Sequence, residues 1–411
     1  MEQVVWVGVD WADQEHAYSV KTEGEEYEGK FKSDPVAVHE WVRKLRERHP
    51  EKVIVIALEQ SRGALMNALS GYEFLRLVPI NPRAAKAYRQ SLYLSGAKDD
   101  PLDADVIREF VANHFDRLRV WQPDDEPTRK LRLLVEGRRK FVEQRTSLTQ
   151  ALSAALKQYF PQILDWFGEA NTTLTRAFIE RWPTVAEAKA ASPQAIRNLI
   201  RAHSRKKPAA IEDLVAKIAT SVPLTTNTPV IEGLSILAQS LVTMLDAVEE
   251  PIQRYDREIA ALWGVHEDHQ IFDSFPGAGV VMAPRLAAAF GTDRTRFTTA
   301  SEIQTYSGIA PVKEASGKRF TIRQRYHCPK FTRQTFHEFA EASLPFSDWA
   351  LAYYRQQRER GAGHHTAIRS LAFRWMRILF RCWQNRTTYD EQVYIAALKR
   401  SSSPLPRRMA A

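Results

Sequence analysis

Residues 52–59 read KVIVIALE and give the clearest indication of fold in the N-terminal part of the chain. An almost unbroken apolar run of this length predicts a strand buried on both faces, as in a parallel sheet covered by helices. Residues 3–11, QVVWVGVDW, are rich in β-branched and aromatic side chains and predict a second strand. Both predicted strands end in an acid, Asp10 in one and Glu59 in the other.

The surrounding sequence extends this pattern into an α/β domain over residues 1–125. Two more strands are predicted around a turn at EGEE, residues 23–26, and another at FLRLVPI, residues 74–80. Helices are predicted after the prolines at positions 35, 82 and 101, where proline suits the first helical turn. The order is a three-strand meander followed by alternating helices and strands.

The remainder of the chain is predicted to be mostly helical. Residues 126–265 contain two long amphipathic stretches, which indicate an antiparallel or coiled-coil arm with an inserted helical segment at about residues 160–210. Residues 266–398 are expected to form a C-terminal, mostly helical domain with one irregular stretch near residues 307–331. Residues 399–411 are rich in Pro, Ser and Arg and are expected to be a tail.

Composition narrows the class of partner. The chain has 411 residues, 58 Lys and Arg against 49 Asp and Glu, and a formal net charge of +9. Such a balance is typical of proteins that meet nucleic acid, although a basic surface can also serve solubility alone. Two cysteines, Cys328 and Cys382, fit a reduced compartment, and no apolar run reaches the ~18 residues of a membrane span. We therefore expect a cytoplasmic protein with no membrane partner.

The acids of the first domain form a candidate metal site. If the strands ending in Asp10 and Glu59 are parallel neighbours, both carboxylates emerge at the same edge of the sheet. Asp100 and Asp103 lie three apart on a predicted helix and share one face. Four converging carboxylates require a cation, and hard oxygen ligands select Mg²⁺ or Mn²⁺. Alternatively, Asp100 caps the helix and Asp103 favours its dipole; Asp105 is expected to face solvent.

The C-terminal domain carries a second candidate site. FPGAGVV, residues 275–281, has the form of a helix-hairpin-helix in which Gly277 and Gly279 let backbone amides approach a phosphate, or it is a plain helical turn. Ser316 follows in a glycine-containing loop, where it could bind or attack a phosphate, or be an ordinary loop serine. Cations surround it in the sequence: Lys313, Lys318, Arg319, Arg323, Arg325, Lys330 and Arg333.

The order of elements and acids resembles an RNase H-like fold, in particular a RuvC-like nuclease domain. The matching pieces are VGVDWADQEHAY, VIALEQSRG and GAKDDPLDADVI. Together with FPGAGVVMAPRLAAAFG, YSGIAPVKEASGK and CPKFTRQTFHEFA, they make nearly the whole chain similar to transposases of the insertion sequence one-ten family, relatives of the Piv-type DNA invertases. One departure is Asp99, which stands where that family usually has a small hydroxyl residue.

The resemblance implies a specific chemistry and set of partners. It makes Asp10, Glu59, Asp100 and Asp103 the metal ligands and Ser316 the nucleophile that forms a phosphoserine with DNA. It implies donor and target DNA, a structured noncoding bridge RNA that pairs with both, and homodimers that pair into a homotetramer. In this case RNA would recognise the DNA sequence by base pairing. Basic helices such as those at residues 129–145 and 369–386 would then bind the nucleic acid backbone, unless they are simply solvated faces.

Three rival interpretations are kept open. A RuvC-like nuclease or junction resolvase would use water in place of Ser316. A sugar-kinase-like ATPase shares the fold class, but its glycine-rich adenosine site has no counterpart in this sequence. An RNA-binding remnant with a dead site is disfavoured because all four acids and the serine are present.

Overall fold

The computed structural model describes residues 4–59, 63–93, 100–316 and 319–400. The chain divides into two compact units, Met1–Pro123 and Asp124–Ala411. For four residues within these ranges only the backbone is described, namely Asp100, Pro101, Ser316 and Arg319. All but the first two residues of the expected tail lie outside the described part.

The first unit is a mixed five-stranded sheet with helices on both faces. Its elements are β1 (Val4–Asp10), β2 (Glu15–Lys21), β3 (Glu26–Lys32), α1 (Pro35–Arg48), β4 (Val53–Leu58), α2 (Ala64–Leu69), β5 (Leu75–Pro79), α3 (Pro82–Leu92) and α4 (Asp100–His114). The strand order is β3-β2-β1-β4-β5, antiparallel from β1 to β3 and parallel from β1 through β4 to β5. This topology is consistent with an RNase H-like domain.

Alternation along the strands divides the core of the first unit into two layers. Val5, Val7 and Val9 of β1 pack on the side of α1 and α2, because alternate strand residues point to opposite faces. On the other face, Val55 and Ala57 of β4 pack in one cluster with residues of α4. Both faces of the central strands are therefore covered, as the apolar run at residues 53–58 predicts.

The second unit is helical apart from one hairpin. Its elements are α5 (Glu126–Tyr159), α6 (Gln162–Phe167), α7 (Thr173–Arg181), α8 (Val185–Ala190), α9 (Pro193–His203), α10 (Pro208–Thr220), α11 (Thr228–Trp263), α12 (His269–Asp273), α13 (Gly279–Phe290), α14 (Ala300–Tyr306), β6 (Val312–Ser316), β7 (Arg319–Arg323), α15 (Lys330–Ala342), α16 (Asp348–Glu359), α17 (His364–Asn385) and α18 (Glu391–Arg400). The stretch expected to be irregular thus contains an antiparallel hairpin, β6–β7. Its polar, short strands lack the long alternating pattern that identifies a strand in sequence.

The two long helices α5 and α11 run antiparallel. Their ion pairs show the direction: as residue numbers increase along α5, the numbers of the partners on α11 decrease. Arg138 bonds Asp256 at 2.5 Å, and Arg145 lies 3.4 Å from Glu249. The C-terminal half of α5 and the N-terminal half of α11 share a core with helices α6–α10. The N-terminal half of α5 and the C-terminal half of α11 share another with helices α12–α18. By length and apolar character α11 would also suit a membrane span, but a single core helix passes the same test.

The basic stretch at residues 129–145 makes mainly intramolecular contacts. Four of its arginines bond groups of the same unit: Arg132 the carbonyl of Ala288 at 2.7 Å, Arg138 the carboxylate of Asp256, Arg139 that of Glu338 at 2.8 Å and Arg145 that of Glu249. The sequence pattern suggested a nucleic acid contact or a solvated face for this helix. These four side chains serve the packing of the second unit, while Arg129, Lys130 and Lys140 are exposed.

Candidate active site

Two carboxylates lie at equivalent positions on neighbouring strands. β1 and β4 are parallel, and Val9 pairs with Leu58, so Asp10 and Glu59 follow at the same sheet edge. This is the carboxyl edge, where open α/β sheets form their sites. The register therefore gives the sheet a pair of hard oxygen donors of the kind that Mg²⁺ prefers.

Helix α4 lies directly on β1 beside this pair. A Cβ built on Gly8 would stand 2.0 Å from the carbonyl oxygen of Ala104, so only glycine permits this approach. Gly8 and Asp10 are two residues apart and share the α4 face of the strand. Asp103, next to Ala104, is bound by the guanidinium of Arg89 on α3 at 2.5 Å.

The donor chemistry fits a divalent metal, although the described residues do not complete a site. Asp100 begins α4, but its side chain is outside the described part. Among the side chains that are described, no three His, Cys, Asp or Glu residues cluster closely enough to hold an ion.

The turn after Asp10 is fixed by a buried histidine. His16 on β2 is almost fully buried and accepts a hydrogen bond at Nδ1 from the backbone amide of Ala12 at 3.3 Å. Burial lowers the pKa of His16, which keeps the ring neutral and able to accept this bond. The histidine therefore positions the turn that begins at the strand-end acid.

A buried ion network under α4 was missed by the sequence interpretation. Asp105 accepts hydrogen bonds from Ser19 of β2 at 3.0 Å and from Arg108, so the expectation that Asp105 faces solvent was wrong. Arg108 is 1% exposed and also bonds Glu26 of β3 at 2.7 Å. The i, i+3 spacing of Asp105 and Arg108 was the available signal. The network ties α4 to the strands beside the acids.

Ser316 ends strand β6 and pairs with Arg319 of β7 through the backbone. The hairpin is exposed at Phe320, whose ring lies 5.1 Å from the Lys313 ammonium group. The chain returns past Cys328, whose sulfur packs against Gly308, where an added Cβ would be 2.3 Å from it. Cys328 thus has a packing role, and the hairpin projects from a packed base.

The two glycines of the predicted helix-hairpin-helix have different environments. α12 and α13 are joined by residues 274–278, and both glycines have positive φ, +76° at Gly277 and +49° at Gly279. A Cβ at Gly277 would meet the Ala342 carbonyl oxygen at 2.2 Å, so glycine is required at this position for packing against α15. Gly279 is exposed with open space around it, so its backbone is the one accessible to a ligand.

The cations near Ser316 in sequence differ in their surroundings. Arg323 pairs with Glu314 across the hairpin at 3.3 Å, a solvent-exposed pair of small energetic value. Arg325 lines a cavity of about 440 Å³ at the hairpin base, and among the described residues its Nε has no hydrogen-bond partner. Lys330 and Arg333 lie on the first turn of α15. Lys318 is outside the described residues, as is the side chain of Arg319.

Comparison with known families agrees with this arrangement at both ends of the chain. The DEDD transposase family of IS110 matches residues 7–161, which include most of the first unit's sheet. The family described as "Transposase IS116/IS110/IS902 family" matches residues 269–355, which include α12, α13 and the hairpin. Fold, strand-end acids and matches together define a DNA transposase, an enzyme that cleaves and rejoins DNA.

Full-length relatives give the same result. The mini-circle putative transposase for IS117 of Streptomyces coelicolor is 28% identical over 97% of this chain and 98% of its own length. The insertion element IS116 uncharacterized 44.8 kDa protein of Streptomyces clavuligerus is 25% identical over 94% and 96%. The chain belongs to the IS110 family of transposases.

Proposed function

We propose that this IS110 family transposase exchanges DNA strands through a covalent phosphoserine at Ser316, guided by a structured RNA. Asp10, Glu59, Asp100 and Asp103 would hold Mg²⁺ or Mn²⁺. The observation that carries the proposal is the parallel register of β1 and β4, which sets two carboxylates side by side. The packing of α4 over Gly8 supports a third and fourth ligand from that helix.

The acids would serve the reaction by binding a divalent cation. A divalent cation bound there would polarise the scissile phosphate and favour the serine alkoxide. The carboxylates would fix its position, and the neutral His16 holds the adjoining turn. Arg89 bonds Asp103 and would hold this carboxylate in place beside the other proposed ligands.

The covalent step conserves the phosphodiester bond energy. A bond forms between Ser316 Oγ and phosphorus while the bond from phosphorus to the leaving sugar oxygen breaks. The serine gives up its proton to solvent or a neighbouring base, and the leaving oxygen takes one up. A sugar hydroxyl of the other DNA then attacks the phosphoserine by the reverse route, so strands are rejoined without ATP.

The partners follow from the same proposal. They are donor DNA, target DNA and a structured guide RNA, and the enzyme acts in the cytoplasm at the nucleoid. The net charge of +9 and the DEDD domain support nucleic acid binding. RNA guidance would supply the sequence recognition that the protein would otherwise need base-reading side chains to provide.

The surface of α11 supports assembly from several copies. Exposed positions without charge follow one helical stripe over four turns: Gly233, Ile236, Leu237, Ser240, Thr243, Met244 and Ala247. Ile236 is 66% exposed and Met244 52%. An uncharged stripe of this kind suits another helix, and we assign it to the dimer contact. Two dimers would pair into the tetramer.

A covalent adduct tests the chemistry. The reaction contains purified protein, RNA transcribed from the flanks of the element, labelled donor and target DNA, and Mg²⁺. A protease-sensitive protein–DNA adduct is expected with wild type and with the control Asp13→Asn, an exposed acid three residues from Asp10. Ser316→Ala, Asp10→Asn, Glu59→Gln and Asp100→Asn are expected to abolish it.

Other outcomes would point elsewhere. DNA cutting that survives Ser316→Ala would identify a hydrolytic nuclease that uses water. An adduct formed equally well without RNA would refute the proposed guidance by RNA. If Asp100→Asn left the chemistry intact and lowered only the melting temperature, that acid would be a helix cap.

Light scattering tests the assembly. Met244→Glu with Leu237→Glu is expected to reduce the mass of the species in solution, because it places charge in the proposed contact. Val265→Glu, at another exposed apolar position of the second unit, is the control and is expected to leave the mass unchanged. Equal masses for all three proteins would remove α11 from the contact.

A further inference from the structure

One face of α17 is open along most of the helix. At one end it lines the cavity of about 440 Å³ beside β7, through Thr366, Arg369, Ser370 and Phe373. At the other it lines a groove of about 960 Å³ against α16 and α18. Phe373 borders both, so the open face is continuous. It extends from Thr366 to Asn385, about 29 Å at 1.5 Å per residue.

The groove is basic along α17, and its other walls combine tyrosines with aliphatic side chains, threonines and Asp390. Arg374, Arg377 and Arg381 come from α17, at helical spacing, while tyrosines come from α16 and α18. Arg374 lies over the Tyr353 ring, with 4.3 Å between its guanidinium carbon and the ring centroid. It also contacts the hydroxyl of Tyr394. One arginine is thus held in a fixed position.

The charges on this wall are not neutralised by the second unit. Among the residues that the structure describes, no carboxylate lies within ion-pair distance of Arg374, Arg377 or Arg381. Asp390 borders the groove, but its carboxylate caps the start of α18 by accepting from the amides of Gln392 and Val393. The four α5 arginines, by contrast, bond internal partners. Unpaired arginines along one ridge favour a polyanion.

The dimensions favour an unpaired strand over a duplex. A groove of about 960 Å³ is the size of a site for a nucleotide-sized ligand, and it is too small for double-stranded DNA. Arginines suit successive phosphates, and aromatic or apolar walls suit the faces of unstacked bases. The cavity at the other end of the face touches Arg323, on the hairpin that carries Ser316, and Arg325, two residues beyond it.

We propose that the open face of α17 is a track for single-stranded polynucleotide, leading from the base of the β6–β7 hairpin into the α17–α18 groove. Its phosphates contact Arg377 and Arg381, and an unstacked base lies against the opposite wall, where Tyr394 is partly exposed. This proposal rests on the proposed function in that the strand would be one that leaves or enters the site at Ser316.

Binding is measured without any chemistry. Fluorescence anisotropy of the full chain is recorded with labelled 20-nucleotide single-stranded DNA, single-stranded RNA of the same sequence, and duplex DNA, at several salt concentrations. The test variant is Arg377→Gln with Arg381→Gln. The matched control is Arg254→Gln with Arg257→Gln, which removes the same charge from two exposed positions of α11.

The test variant is expected to weaken single-strand binding by about tenfold or more, with little change for duplex. Because about two phosphate contacts are lost, the slope of log affinity against log salt is expected to fall by about 1.4. The control is expected to change neither quantity. Whichever of DNA and RNA shows the larger loss identifies the strand that uses the track.

Two results would overturn the proposal that this face binds a single strand. One is an equal effect of test and control variants, which would mean that only net charge matters. The other is unchanged single-strand binding by a test variant whose melting temperature matches wild type. A missing phosphoserine adduct would refute the proposed chemistry but leave this binding result standing, so the two failures are distinguishable.

Discussion

Gly8 of β1 and Ala104 of α4 are in contact through their backbones, at a distance that leaves no room for a side chain on Gly8. This contact places the first turns of α4 beside Asp10. It joins the acid that ends a strand to the acids that begin a helix nearly a hundred residues later. The candidate metal site therefore depends on a residue with no chemistry of its own.

Gly8→Ala is expected to displace α4 and weaken metal binding. The added methyl group would overlap the Ala104 carbonyl, and overpacking of this kind costs about 1–3 kcal/mol. Thermal unfolding and titration with Mn²⁺ measure the two effects. Gly71→Ala is the control, because its nearest neighbour would be 3.5 Å away. Unchanged Mn²⁺ affinity in Gly8→Ala would separate α4 from the metal site.

Arg108→Ala is expected to lower the free energy of unfolding by about 3 kcal/mol. It leaves Asp105 without its buried partner and removes the tie to Glu26. Chemical denaturation measures the loss. Arg43→Ala removes an exposed pair with Glu47 and should cost under about 1 kcal/mol. Similar losses for both variants would show that burial does not strengthen the Arg108 network.

Glu338→Ala is expected to destabilise the second unit by about 3 kcal/mol. Glu338 of α15 binds the buried Arg285 of α13 at 2.7 Å and Arg139 of α5 at 2.8 Å, so its loss leaves Arg285 unpaired in an apolar setting. Burial already lowers the pKa of Arg285. Denaturation checks the cost, with Glu341→Ala at a more exposed pair as the control. Adding Arg285→Met should recover part of the loss, and no recovery would contradict the argument.

His266 is expected to make the second unit less stable below neutral pH. Burial lowers the pKa of His266 despite nearby acids, so between the unfolded value near 6.5 and the lower folded value the unfolded chain binds more protons. The free energy of unfolding should therefore fall as pH drops from 7 to 5. The neutral ring accepts at Nδ1 from the amide of Asp268 and contacts Thr128 through Nε2.

Thermal unfolding from pH 5 to pH 8 checks the His266 prediction against His266→Gln, which cannot titrate in this range. His16 and His337 also have lowered pKa values, so the variant should keep part of the slope and lose the rest. An identical pH dependence in both proteins would show that His266 contributes nothing to it.

Sequence patterns identified the strands of the first unit and the long helices of the second because their periodicity is strong. KVIVIALE, a short apolar run rich in β-branched residues, predicted a buried strand, and the structure pairs it in parallel with β1, as the hypothesis of a metal site required. The β6–β7 hairpin was not predicted, since its strands mix Lys, Glu, Ser and Arg with few apolar residues. Asp105 was misjudged because position on a helix does not reveal which strands lie beneath it.

Sequence alone was enough to predict most of the element types, the two strand-end acids, the basic balance and the motifs that mark the family. These follow from local periodicity and from residue chemistry, which are properties of short segments. Tertiary structure decided which charges are used internally and which stay open to a ligand. The arginines of α5 and of α17 look alike in sequence, but only folding brings Asp256, Glu338 and Glu249 to the former and leaves Arg377 and Arg381 in an open groove. Pairing between distant segments depends on packing geometry, and no local pattern encodes it.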